Sequence, residues 1–434
     1  MSSSAWALPI ELIRHIALQL SLTEPYDNGP DTIDFMDFIE AKGTLMSLTY
    51  ACRSTKTLLE PLLYRCIILL DAQDVTHVFL LLTQNPHLCS YVRHIFCNTP
   101  LAWIPSAEDG PRSVAMRMWQ ARCDLETSPK ALLKHAGLDL DYNAATEVPI
   151  GCLAKDLFKL DDFVNFMFGC ILIMTQNTRT LGFRRSAVRY EGEEPFIFSG
   201  LMVEAAKQGF PVMPDLRVLD FHTDAESLSE VIDMFFPKDG MWTNLRRLVL
   251  NDVDFDDQFF QMLVEGSFSS PQPIEELYIR DRLLLNSRLD DFDIGLGGDG
   301  DVTFAQVMDM FDIDLEHRPK FRAFRNLRLL DIEFPQSDFR AEHGSPVLPV
   351  FLAGIGSVPE TIRLRCHPFP SGLIKLDVQS RLKYLIIDEC NNMSEVPTGQ
   401  EIAEAASRLR DDGGDVAPTL SWVQVNGVRK EIAG

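Results

Sequence analysis

Gly295, Gly297 and Gly300 form a literal G-x-G-x-x-G, the spacing that lets a backbone approach a pyrophosphate. Such a loop must leave a hydrophobic strand and open a helix. Here Asp290, Asp291 and Asp293 precede it, and Asp299 and Asp301 lie inside or beside it. These carboxylates would repel phosphate, so no dinucleotide site is expected. Asp291 and Asp293 alternate as in a calcium loop. The sixth position, however, is Leu296 where the sharp turn needs glycine, and the twelfth is Val302 where a bidentate glutamate belongs. Weak surface binding of calcium stays open; an EF-hand does not. His87, Cys89, His94 and Cys97 are close in sequence, but their spacing matches no common zinc finger. In a regular helix or strand, Cys89 and Cys97 would instead pack inward. No G-x-S-x-G, P-loop lysine or H-E-x-x-H occurs. Carboxylate pairs such as Glu193-Glu194 read as loop. Nothing in these residues asks for catalysis, a metal or a cofactor.

The chain is long enough for two or three domains: 434 residues, 46% of them hydrophobic. Asp plus Glu number 63 against 40 Lys plus Arg, a formal net charge of −23. That balance disfavours nucleic-acid phosphates and anionic membranes as partners. Nine cysteines lie singly with no C-x-x-C pair, the pattern of reduced thiols. The most apolar run, residues 163–174, is too short to span a bilayer and contains Asn165. No charged-then-apolar leader opens the chain. The expectation is a soluble protein of the cytoplasm, the nucleus or both.

The elements begin with a helix over residues 7–20. Pro9 suits a first helical turn and Glu11 suits the positive end of its dipole. Leu8, Leu12, Ile13, Ile16 and Leu20 then form one apolar face. A second helix is predicted over 44–59, with Leu45, Leu48, Ala51 and Cys52 on one side. A turn started by Pro61 comes next, and then an apolar run suited to a buried strand. "LPIELIRHIALQL", "LMSLTYACR" and "LLYRCIIL" together resemble an F-box, written loosely L-P-x-E-hydrophobic and then L-x-x-L-x-x-V-C-R. The subsequent stretch through "NPHLCSYVRHI" is similar to the region after the F-box in many fungal members of that family. Two features depart from it: the connection over 21–43 is long, and Ser54-Thr55-Lys56 stands where a tryptophan is often found. Loop lengthening itself costs only slowly growing entropy.

From about residue 170 a strand-like unit L-x-x-L-x-L recurs, as "LRVLDF" (216–221), "LRRLVL" (245–250), "IEELYI" (274–279), "LRLLDI" (327–332) and "LKYLII" (382–387). Weaker copies are "TRTLGF" (178–183) and "TIRLR" (361–365). Leu219, Leu248 and Leu277 fall at equal intervals within the leucine-rich-repeat period. Helices are predicted between the strands, over 223–237, 256–266 and 303–315, continuing at 348–356 and 401–410. The first has Thr223 and Glu226 as a capping box and Pro237 as its stop. Between Leu277 and Leu330 lies the acidic, glycine-rich insertion 286–302, either a solvated excursion or part of a binding face.

The fold class expected is α + α/β. A short F-box-like helical module (1–70, with the insertion 21–43) precedes a helical connecting region (71–169) and an irregular leucine-rich-repeat arc (170–434). The F-box resemblance implies a non-catalytic, substrate-recognising subunit of a ubiquitin ligase. Leu8, Pro9, Leu12, Ile16, Leu45, Leu48, Cys52 and Arg53 would dock a Skp-type adaptor, and through it a cullin–RING ligase. The arc would hold a protein target that the sequence does not identify. The alternative is a repeat scaffold that buries these helices within itself and has no ligase role.

Overall fold

The computed structural model describes residues 11, 15–17, 35–51, 53–70, 72–97, 129–140, 160–183, 197–222, 244–251, 274–280, 326–333, 359–365, 382–388, 400 and 421–431. The predicted helices over 223–237, 256–266, 303–315 and 348–356, and the insertion 286–302, lie outside them. So does 401–410. The chain divides into two compact units. The first holds Met1–Gly182 and Pro195–Leu216, the second Phe183–Glu194 and Arg217–Gly434.

In the first unit, α1 (Phe35–Ala51) and α2 (Arg53–Leu63) pack on one another. This corrects the single helix predicted over 44–59. The helix begins nine residues earlier, inside the expected connection, because 35–43 holds no proline and is rich in helix formers such as Met36, Ala41 and Lys42. Pro61 starts no turn; it lies within α2. An interior proline costs a backbone hydrogen bond, about 3 kcal/mol. Here the helix runs on through a bond from Tyr64 N–H to the Glu60 carbonyl. Leu59, buried, and Leu58, Leu62 and Leu63, half-buried, offset the loss by packing in one cluster.

The apolar run after α2 is β1 (Cys66–Leu69), parallel to β2 (His94–Cys97), with Cys66 opposite His94. Between them runs α3 (Ala72–Gln84), where Val75, Phe79 and Leu82 recur at helical spacing and are fully buried. Asp74 in its first turn accepts the Leu70 N–H at 2.9 Å. After α4 (Pro129–His135) comes α5 (Leu160–Met174), the most apolar segment of the sequence. Phe166, Met167, Phe168, Cys170, Ile171, Leu172 and Ile173 are all fully buried. A helix apolar all round belongs inside a core, and α5 packs against α3 and α6 (Ile197–Lys207). Among the described residues no helix is long and apolar enough to cross a membrane. Buried Thr175 and Thr178 hydroxyls bond back to the Ile171 and Thr175 carbonyls and turn the chain into β3 (Thr180–Phe183). A Cβ at Gly182 would lie 2.5 Å from Phe96 Cδ1, so only glycine lets β3 approach β2 there.

In the second unit each segment read as L-x-x-L-x-L contains a strand: β4 (Val218–His222), β5 (Arg247–Asn251), β6 (Glu276–Arg280), β7 (Leu329–Glu333), β8 (Thr361–Arg365) and β9 (Tyr384–Asp388). They pair parallel in chain order. β10 (Trp422–Val425) continues the parallel series, and β11 (Val428–Glu431) closes it antiparallel. The repeat pattern does not reach these last two strands, although Asn426-Gly427 is a hairpin signal. Both residues have positive φ, as a two-residue turn of that type requires.

The pairing places two apolar rows on one face of the strands. Leu219, Leu248, Leu277, Leu330, Ile362, Leu385 and Val423 stand in one register, as do Leu250, Ile279, Ile332, Leu364, Ile387 and Val425. All but the half-buried Leu385 are buried, each contributing about 1.5–3 kcal/mol. A further column precedes the strands. The carbonyl just before each strand accepts N–H groups from the start of the next, as Arg65 does from Arg93 and His94, and Arg246 from Glu275 and Glu276.

Candidate functional site

Two surfaces carry functional groups, one in each unit. The first is the helical cluster. Ala17, in the helical segment at 15–17, joins Leu45 of α1 and Leu59 of α2 in a buried core ringed by Leu48, Leu58, Leu62 and Leu63. The Thr55 hydroxyl, 3.0 Å from the Leu48 carbonyl, ties α1 and α2 together. Lys42 Nζ donates to the Cys66 carbonyl at 3.3 Å and so fastens α1 to β1.

Of the residues expected to dock a partner, Leu8, Pro9, Leu12 and Cys52 lie outside the described residues, as does the Arg53 side chain at the start of α2. Leu45 is only 3% exposed and Leu48 half-buried, both turned into the chain's own cluster. Ile16 faces outward at 38%. Two residues absent from the expected set share that character. Met46 and Tyr50, one turn apart on α1, are 40% and 81% exposed. The sequence signal for them is the i, i+4 pair itself, masked by the stronger stripe of Leu45 and Leu48 beside it. Burial pushes the Tyr64 hydroxyl pKa upward, with Glu60 and Tyr50 adding to the shift.

The second surface is the polar face of β5–β10. Arg247 Nε is 2.6 Å from Glu276, which also accepts the Tyr278 hydroxyl at 2.9 Å. Burial first, then Glu276, drives the Tyr278 pKa far up. Across β7–β9 a longer network forms. Asp331, nearly fully buried, meets Arg365 at 3.2 Å and Arg363 at 3.9 Å. Arg365 also holds Glu333 at 2.8 Å, and Arg363 holds Asp388 at 3.0 Å. Beside it Tyr384 and Trp422 stack at 5.0 Å, with the Arg429 guanidinium 4.5 Å from the indole. Tyrosine, tryptophan and arginine are the types that dominate protein interfaces. The ion pairs hold these arginines in fixed positions, which lowers the ordering cost of a contact.

The cysteine and histidine group divides. Cys89 and Cys97 are buried, packed inward as regular structure in this segment implies, while His87 lies exposed 3.6 Å from Glu60. His94 is buried in β2, its pKa pushed down to about 3 by burial and then by Arg65, Arg179 and Arg93. Among the described residues no three His, Cys, Asp or Glu side chains converge to hold a metal ion. Burial likewise raises the Cys66 thiol to about 12, far from a reactive thiolate. Compared with known proteins, the chain matches no family model and no curated protein.

Proposed function

We propose that the protein is a substrate receptor of a Skp–cullin–F-box type ubiquitin ligase. The helical module docks a Skp-type adaptor, and the leucine-rich-repeat strands present a face to a protein target. The observation that carries this reading is the outward apolar set Ile16, Met46 and Tyr50 on a helical cluster whose own core is already closed by Ala17, Leu45 and Leu59. Surface of this kind, within the stretches that resemble an F-box, is what a partner's apolar groove covers. The chain supplies no chemistry of its own in this role. It raises the target's effective concentration beside the loaded conjugating enzyme.

A second reading, a repeat scaffold without ligase role, is favoured by the burial of Leu45 inside the chain. Co-expression with a Skp-type adaptor and subsequent size exclusion separate the two. The receptor reading expects a stoichiometric complex, lost in the Leu8→Ala/Pro9→Ala variant and weakened in Tyr50→Ala. A well-folded chain that elutes alone beside the adaptor sinks the receptor reading.

A further inference from the structure

We propose that the outer edge of β11 adds an extended strand of a protein target, one that carries an acidic and an apolar side chain two residues apart. β11 is the last strand of the series, and among the described residues no strand pairs with its other side. The bonds of β10 show which way the backbone points. Trp422 and Asn426 N–H groups donate toward β9, to the Lys383 and Ile387 carbonyls at 3.4 and 2.7 Å. Val423 and Val425, alternating with them, therefore turn their amides and carbonyls to Lys430 and Val428, their partners across the hairpin. Arg429 and Glu431 are left with N–H and C=O aimed away from β10. An extended peptide satisfies such a row, its main-chain bonds giving affinity and its alternate side chains selectivity. All four residues of β11 are exposed, Val428 at 72%.

The side chains of that edge state what fits. On one face Arg429 is held by Glu431 at 2.6 Å and lies 4.5 Å over the Trp422 ring, so its charge is already answered. On the other face stand Lys430 and Val428, and among the described residues Lys430 has no ion pair. Toward an antiparallel newcomer these two occupy the non-hydrogen-bonded positions, where facing Cα atoms are about 4.5 Å apart and side chains come closest. A carboxylate opposite Lys430 and an apolar side chain opposite Val428 complement them, which is an acidic-x-apolar pattern. At physiological salt charges are screened beyond about 8 Å, so a docked carboxylate responds to Lys430 rather than to the net charge of −23. A second copy of the chain is disfavoured by the same code. Symmetric antiparallel pairing of two β11 edges centres on Arg429, Lys430 or Glu431, and that residue then faces its own like charge. Lysine on an edge strand guards against such self-pairing, and a target with a carboxylate in that place passes the guard. The edge serves the target-binding half of the receptor reading and is independent of adaptor docking, because every group in it belongs to the second unit.

The test is fluorescence anisotropy of the full chain with a short dye-labelled peptide in which glutamate and valine alternate, separated by threonine. Its twin carries lysine in place of glutamate. Wild type is expected to bind the glutamate peptide about fivefold more tightly than the lysine twin, and Lys430→Glu should reverse that order. Arg429→Pro removes an outward N–H while keeping the bonds to β10, and should abolish binding of both peptides with the melting profile little changed. No binding by wild type, equal binding of the two peptides, or binding that survives Arg429→Pro overturns the proposal. A dimer on size exclusion that Arg429→Pro dissolves would give the edge to a second copy, and overturns it as well. If Arg429→Pro does not fold, the reversal in Lys430→Glu decides alone. Because no adaptor is present, absence of peptide binding leaves adaptor docking standing, and loss of adaptor docking leaves this edge standing.

Discussion

Lowering the pH should destabilise the first unit through His94. The imidazole is buried in β2 and its pKa is pushed from 6.5 down to about 3, by burial first and then by Arg65, Arg179 and Arg93. In the unfolded chain it titrates near 6.5. Between those values the unfolded state binds a proton that the native state refuses, so stability rises with pH in that window. The contribution is intact above pH 6.5 and is lost as pH falls below it. Each pH unit is worth 1.36 kcal/mol, so going from pH 7 to pH 5 costs about 2 kcal/mol. The assay is urea unfolding at pH 7, 6 and 5, comparing wild type with His94→Gln. Glutamine keeps a polar side chain of similar length but cannot charge. Any packing the variant loses displaces its whole curve equally, so the slope against pH is the readout. Between pH 6 and pH 5 the wild-type curve should fall more steeply than the variant's by about 1 kcal/mol. Parallel curves would refute the reasoning, since the burial and the field of three arginines would then leave His94 titrating as in a free peptide.

Packing and charge set three further outcomes. Gly182→Ala drives a Cβ to within 2.5 Å of the Phe96 ring, and overpacking of this kind should cost about 1–3 kcal/mol in chemical denaturation. Pairing it with Phe96→Leu should recover part of the loss. Arg365→Met removes the closer of the two arginines from nearly buried Asp331 and should cost about 3 kcal/mol, whereas Arg246→Met at the exposed end of its pair with Glu275 should cost under about 1 kcal/mol. Both are read from urea midpoints. Leu59→Ala opens the helical cluster and should cost about 2–5 kcal/mol, while Tyr50→Ala should change stability by less than about 0.5 kcal/mol and be felt only in partner binding.

The strands were legible because their apolar residues obey a period of two, within a longer interval that is regular from Leu219 to Leu277. Leu219, Leu248 and Leu277 stand opposite one another in β4, β5 and β6. The signal failed where local pattern and context diverge. The start of α1 at Phe35 rather than at residue 44 escaped the sequence reading because the acidic, proline-containing stretch before it hid the helix formers beyond. Pro61 looked like punctuation, yet packing of Leu58, Leu59, Leu62 and Leu63 carries α2 through it. The hairpin of β10 and β11 carries no leucine repeat and only its Asn-Gly turn betrays it. The polar network was least legible. Arg247, Glu276, Asp331, Arg363 and Arg365 occupy the variable positions of the repeat, and only the register shows which of them meet.

Leu45 and Met46 are adjacent in sequence, yet they divide the helical module between inside and outside. A helix turns about 100° per residue, so the face holding Leu45 and Leu48 is closed against Ala17 and Leu59, while Met46 and Tyr50 look away from it. Docking through Leu45 would require this cluster to open and would forfeit its burial, at a cost of about 1.5–3 kcal/mol for each large side chain exposed. Docking through Ile16, Met46 and Tyr50 requires no rearrangement. On the proposed receptor reading, adaptor contact would fall mainly on side chains outside the L-x-x-L pattern, with Leu45 and Leu48 acting indirectly as the packing that holds α1 in place. Leu45→Ala should then weaken adaptor binding only in proportion to lost stability. Tyr50→Ala should weaken it with the fold intact. If Leu45→Ala abolishes the complex while the melting profile is unchanged, the division between inner and outer face is wrong.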